Sequence, residues 1–287
     1  MTSTETSAEN DPLAPALPRF AAGSARSLLL TLFGEFVYPS DAPTWTSTLL
    51  HAFGGVGVND KAGRQALMRA AAEGWIEGQR EGRRTSWRLT PVSRRMVAEG
   101  SRRVRSLRVA AADWDGRWIA LHISLTDGQR AERQRLYRAL GWLGFGSPAP
   151  GLWICPDPSR AETVRAKLDQ LGLSQQTLAM QAQALDFGAA EREWVARAWD
   201  LDAIASTYEN LVARFSAMRP RSDEATFFAH IELVNALQRL PAIDPGLPAA
   251  LLPPQWPAIR AAQRLDERRA KWRDVAHAYW AALSEAP

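Results

Sequence analysis

An α+β chain in three parts is what this sequence predicts, and three observations predict it. A helix with one cationic side runs straight into a basic hairpin over residues 59–90. Large apolar residues at Trp118, Ile119, Leu121, Ile123 and Leu125 mark a buried strand, with helices and further strands after it. From Leu201 onward, apolar positions recur at spacings of three and four, the mark of helices with one apolar stripe. The expected division is a tail over 1–22, a first domain over 23–108, a middle domain over 109–187 and a helical domain over 188–287.

The tail is rich in Ser, Thr, Ala and Pro and carries Glu5, Glu9 and Asp11, a composition that reads as disordered. Ser24 is placed to cap a helix holding Leu28, Leu29, Leu32 and Phe33, and a second helix is expected from about Thr46 to Phe53. Gly54, Gly55 and Gly57 form the turn that follows. They are no phosphate loop, because a helix rather than a strand precedes them and no Lys-Ser or Lys-Thr pair follows.

The next helix, NDKAGRQALMRAAAEGW, divides cleanly at about 100° per residue. Ala62, Ala66, Leu67 and Ala70 form a small-residue side able to pack closely on a preceding helix. Lys61, Arg64, Gln65 and Met68 lie opposite, with Arg69 at the edge. Arg and Gln side chains can read guanine and adenine edges, and Arg69 is placed for phosphate. Gly74 is the expected C-cap. Trp75, Ile76, Trp87 and Leu89 read as two short strands, Gly82 supplies their turn, and Arg83 and Arg84 sit at its tip with Arg88 nearby. A cationic helix beside a two-stranded ribbon is the layout of a winged helix-turn-helix, which sets the helix in the major groove and the ribbon on the backbone. The alternative is a solvated basic surface. Thr90 and Pro91 open a further helix rich in Arg, which either helps hold DNA or is a solvated linker.

Charge is concentrated in the same place. The chain carries +4 overall, but residues 23–108 hold 14 Lys or Arg against 7 Asp or Glu, a net of +7. A basic module on a near-neutral body suggests that one part holds nucleic acid while the rest does something else. A single cysteine, Cys155, excludes an internal disulfide, and its apolar flanks make it a buried strand residue. No stretch reaches the ~20 apolar residues of a membrane helix, and the N-terminus lacks a signal peptide's apolar region, so a cytoplasmic location is expected.

In the middle domain, helices are expected from about Arg130 to Leu143 and from Asp157-Pro158, with strands at GLWICP and TLAMQAQAL. The alternation suggests a small ferredoxin-like sandwich, a type that often pairs into dimers. In the last domain, helices carry Leu201, Ile204, Tyr208, Leu211, Phe215 and Met218, then Phe227, Ile231 and Val234, then Trp272, Val275, Tyr279 and Leu283. A proline-rich connection, LPAIDPGLPAALLPPQWP, reads as an ordered loop.

The runs GRQALMRAAAEGWIEGQREGRRTSWRLT, WDGRWIALHISL, GWLGFGSPAPGLWICP and DPGLPAALLPPQWP resemble the PaaX family of bacterial transcriptional regulators over nearly the whole chain after about residue 23. The resemblance implies a winged-helix DNA-binding domain, a middle domain similar to the small CRISPR-associated ferredoxin-like nucleases, and a helical C-terminal domain. It implies a repressor of an aromatic-acid catabolic operon that binds double-stranded operator DNA and is released by an aryl-CoA thioester, phenylacetyl-CoA in the type case; the pairing tendency of the sandwich makes a homodimer the expected form. The chain departs from the family pattern at Trp87, where a smaller aromatic is expected, and at Ala71, where leucine is usual.

An acyl-CoA effector needs cations for its phosphates and an apolar or aromatic enclosure for its acyl group. Trp199 and Trp256 are candidate walls, and Arg260, Arg264, Arg268 and Arg269 candidate cations, against the plainer reading of core tryptophans and solvated arginines. Two other functions compete: a nucleic-acid-binding accessory protein without ligand control, and a metal-dependent nuclease using the middle domain. For the nuclease, the end of the first middle-domain strand reads His122, Ile123, Ser124, Leu125, with Asp127 beyond. One carboxylate without a partner makes no two-metal site, and Asp127 beside Gly128 is a turn residue. The four histidines, His51, His122, His230 and His277, are scattered without ligand spacing. No catalytic motif, metal site or cofactor is expected, and the chain reads as a non-enzyme.

Overall fold

The computed structural model describes residues 25–40, 42–107, 114–125, 128–185 and 191–285. The expected cap at Ser24 and turn at Asp127 lie outside them. Helix α1 (Ala25–Leu32) runs into a single wide π-turn over Phe33–Val37, and a two-residue strand β1 (Thr44–Trp45) leads into α2 (Thr46–Gly55). Helix α3 (Asp60–Ala72) is followed by a hairpin of β2 (Ile76–Glu81) and β3 (Arg84–Leu89), and then by α4 (Pro91–Ser106). Strand β3 lies between β1 and β2 in a three-stranded antiparallel sheet, with Gly78 opposite Trp87 and Thr44 on Trp87's other side.

The central segment runs strand, helix, two strands, helix, strand. Strand β4 (Arg117–Ile123) is followed by α5 (Arg130–Trp142), β5 (Gly146–Ala149), β6 (Leu152–Cys155), α6 (Ala161–Gln170) and β7 (Thr177–Gln183). The sheet is antiparallel throughout, in the order β5-β6-β4-β7. Ile119, Leu121 and Ile123 point to one face, where they meet Leu136 and Leu140 of α5 and Val164 and Leu168 of α6 in one apolar core. Cys155 is buried in that core as expected, and burial pushes its thiol up to about 11. Asp157 caps the turn into α6 through the Ser159 amide and pairs with Arg160 at 2.9 Å.

Helix α7 (Glu191–Ala198) follows the sheet, and three helices complete the chain: α8 (Leu201–Ala217), α9 (Asp223–Leu237) and α10 (Pro257–Glu285). Ser222 caps α9 by accepting from the Ala225 amide at 3.1 Å. Apolar on nearly every side, α9 is buried on nearly every side. Between α9 and α10 the proline-rich connection forms two short 3-10 turns, at Leu240–Ala242 and Ala249–Leu251.

The described elements fall into two compact units. One is the central segment, α7 and residues 242–253. The other joins α1 to α4 with nearly all of α8, α9 and α10. In this second unit Phe227 and Ile231 of α9 and Ala276 and Trp280 of α10 share a core with Leu28, Leu29 and Phe33, all of them buried. The polar face of that junction is satisfied internally: Ser27 and Thr31 donate to Asn235 at 2.8 and 3.0 Å, and Thr48 donates to the Leu283 carbonyl at 3.2 Å. The α+β class is as expected.

Candidate nucleic-acid interface

Helix α3 begins where its sequence asks it to: the Asn59 side chain accepts from the Ala62 amide at 2.9 Å and ties down one of the four orphan N–H groups. It ends where Gly74 turns the chain at φ 72°. Ala66, Leu67 and Ala70 are buried, and Gly63 lies so close to α2 that a β-carbon there would come within 2.8 Å of Leu50 and Phe53. The opposite side is turned outward. Lys61, Arg64, Gln65 and Arg69 are exposed, and Met68 is 64% exposed although it is large and apolar. Arg64 stands 3.9 Å from Asp60 one turn back, a solvated pair that holds its guanidinium only weakly. Just past the helix, Glu73 pairs with Arg26 of α1, whose guanidinium lies 4.2 Å above the Trp75 ring.

The hairpin adds cations beside this surface. Gly82 adopts φ 62°, so β2 and β3 are joined by the two residues Gly82 and Arg83, and Arg83 is exposed. Arg84 is not at the tip but opens β3 opposite Glu81; it is half-buried, with its guanidinium 4.1 Å above the Trp45 ring. Arg88 is half-buried as well, and its Nε is buried without a hydrogen-bond partner. Trp87 is core: it donates from Nε1 to Thr46 Oγ1 at 2.8 Å and covers Gly78, where a β-carbon would strike its ring. The larger aromatic is thus accommodated by a glycine on the paired strand.

The effector candidates are divided between the two units. Trp199 belongs to the central unit, where it is buried against Gly146 with its Nε1 unsatisfied. Trp256, Arg260, Arg264, Arg268 and Arg269 belong to the other unit. Trp256 is half-buried, and Arg260 and Arg264 are exposed. Arg268 lies 5.4 Å above Trp272 and donates to the Ser216 carbonyl at 3.4 Å.

Two histidines read as scattered in the sequence are brought together in space. His230 Nε2 lies 2.9 Å and His277 Nε2 3.4 Å from the same Glu35 oxygen, while Arg269 binds the other. Burial alone would raise the Glu35 pKa, but the His230 and His277 hydrogen bonds and the Arg269 charge outweigh it and hold the carboxyl well below its usual range. Desolvation lowers the His230 pKa in spite of Glu35, so its ring is neutral and donates from Nε2. The three ligand-type atoms lie within 4.8 Å of one another, as metal donors do, but the Arg269 cation on the same carboxylate opposes a second positive charge. Sequence spacing offered no signal for this cluster, because Glu35 and His230 stand 195 positions apart.

Three family models match the chain in order: PaaX-like protein over residues 24–92, PaaX protein central Cas2-like domain over 111–194, and PaaX-like protein C-terminal domain over 199–282. The chain is 29% identical over 252 residues to the transcriptional repressor PaaX of Escherichia coli (strain K12), covering 84% of this chain and 78% of the relative. Among solved structures it is similar to the uncharacterized protein Rv0674 from Mycobacterium tuberculosis. That match has a TM-score of 0.57 and 22% identity, and it covers 88% of this chain and 99% of the other, a likeness of fold.

Proposed function

Because this chain belongs to the PaaX family, we infer that it is a DNA-binding transcriptional repressor whose grip on its operator is set by a small molecule. The observation that carries this reading is the outward side of α3: Lys61, Arg64, Gln65 and Arg69 are exposed together on a capped helix whose other side is packed, and a hairpin with Arg83 at its turn lies beside it. In this reading α2, α3 and the β2-β3 hairpin form a winged helix-turn-helix. Arg64 and Gln65 meet base edges, while Lys61, Arg69 and Arg83 meet phosphate. Arg84 and Arg88 brace the hairpin and reach the backbone only with their outer nitrogens.

The central unit acts as a ferredoxin-like module that pairs two copies, placing the two α3 helices on half-sites a helical turn apart or a multiple of it. The ligand is an aryl-CoA thioester of the phenylacetyl-CoA kind, and the target an aromatic-acid catabolic operon. No chemistry on the ligand is required: release follows from its differential affinity for two conformers of the protein. Coupling has a short physical route, since α10 packs on α2 and on the π-turn beneath the DNA-facing elements, with Phe36 and Trp280 stacked at 4.9 Å.

The test is a mobility-shift assay on DNA from upstream of the protein's own gene, with and without a panel of aryl-CoA esters and with magnesium or manganese present. Specific binding relieved by one thioester is expected. Binding that survives every ligand indicates an accessory protein, and metal-dependent cleavage indicates a nuclease.

A further inference from the structure

The face of the central sheet turned away from α5 and α6 is hollow. Along β4 the inner residues are Ile119, Leu121 and Ile123, whereas the outer ones are Trp118, then the small Ala120, then His122. Ala120 faces Ile154 on one neighbouring strand and Met180 on the other, so a one-carbon side chain sits at the centre of the sheet's outer surface. The space this leaves is a recess of about 310 Å³, bordered by Trp118, Leu152, Ile154 and two residues of α7, Trp194 and Arg197. The Trp118 indole is fixed: its Nε1 donates to Glu191 Oε1 at 3.2 Å, which ties the first turn of α7 to the sheet, and Trp114 packs edge-on to it at 5.1 Å.

We propose that this recess is a binding site for a small arylacyl group, with Arg197 facing the ligand's carbonyl or carboxylate. The proposal rests on the ligand-controlled reading above and places the sensing site on the outer face of the central sheet instead of at Trp199 or α10. The volume is at the lower end for ligand pockets, ~300–1,000 Å³, and suits a benzene ring with a short side chain rather than a whole coenzyme. Two indoles and two branched aliphatic side chains supply the apolar enclosure that an aromatic ring requires. Arg197 supplies the polar end. Arg117, Arg160 and Arg165 of the same unit each have an acidic partner, whereas Arg197 has none among the described residues. An unneutralised guanidinium at the edge of an aromatic recess selects a ring that carries an oxygen acceptor.

The experiment uses the full chain and two probes, phenylacetate and phenylacetyl-CoA, which share the arylacyl chemistry but differ in the carrier. Binding is measured by titration calorimetry for the wild type, Ala120→Phe, which fills the recess, and Arg197→Ala, which removes an exposed side chain that the fold does not use. Circular dichroism and a thermal melt establish that each variant is folded. At least a tenfold loss of affinity in Ala120→Phe and a severalfold loss in Arg197→Ala support the site. Whether phenylacetate alone binds identifies the source of the arylacyl group. Should Ala120→Phe fail to fold, Arg197→Ala with wild-type affinity overturns the proposal by itself. If both variants bind as the wild type does, the site is overturned while ligand control stands; if the wild type binds neither probe, the site and ligand control fall together and the DNA-binding reading is untouched.

Discussion

Glu35 is a carboxylate held charged in the interior by two imidazoles and one guanidinium, an arrangement that ties the stability of its unit to pH. Its folded pKa lies below the ordinary 4.5 and that of His230 below the ordinary 6.5, so in both cases the unfolded chain binds protons first as the pH falls. Stability is therefore expected to decline from about pH 6.5 downward and more steeply below about pH 4.5, as read from urea midpoints across that range. Glu35→Gln leaves the Arg269 charge without its partner and should cost about 3 kcal/mol near neutrality. It should also flatten the lower limb of the pH profile and deepen the upper one, because Glu35 is what holds the His230 pKa up against burial and the Arg269 charge. On α3, Arg64→Ala or Gln65→Ala should lower discrimination between operator and random DNA by ~1–3 kcal/mol if either makes a bidentate base contact. Arg83→Ala should weaken binding to every sequence and make its salt dependence shallower. Fluorescence anisotropy at several salt concentrations separates these outcomes: equal losses on operator and random DNA remove Arg64 and Gln65 from base reading, and an unchanged slope removes Arg83 from the backbone.

Among elements, the hairpin shows how a local departure is absorbed. Trp87→Phe removes the hydrogen bond to Thr46 and leaves a void over Gly78, so it should destabilise the unit by roughly 1–3 kcal/mol in chemical denaturation. A cost near zero would mean that the indole is not the prop on which β1 and β2 close. Helix α3 and this hairpin were legible in the sequence because Asn59, Gly74 and Gly82 punctuate them and the 3.6-residue period is strong between. Strand β5 was not, because Gly146-Ser-Pro-Ala149 carries a proline and no apolar alternation. Strand β1 is two residues long and has no period to detect. Helix α7, whose Trp194 and Arg197 border the recess, was missed because eight residues with one fully buried position give little amphipathic signal.

For the whole molecule, the sequence conveyed the order of elements but not their partners. The helices α9 and α10 read as part of a separate domain, yet Phe227, Ile231 and Trp280 complete the core under α1 and α2. The Glu35 cluster escaped notice for the same reason: its members are separated by most of the chain and carry no spacing rule. A fragment of residues 23–108 made alone is expected to lack a cooperative thermal transition and to exchange its amide hydrogens rapidly, because Phe33, Phe36 and Phe53 would lose their cover. A sharp melt for that fragment would show that the N-terminal elements need no help.

The contact between Thr48 and the Leu283 carbonyl has a consequence during synthesis. Helix α2, on which α3 packs, leaves the ribosome well before this prop, which lies 235 positions further along the chain. At ~5–20 residues per second, some ten seconds or more separate the two, during which the apolar underside of the N-terminal segment stands open to water and to chaperones. In the proposed reading, DNA binding by a nascent chain is therefore expected to wait until α10 has been translated.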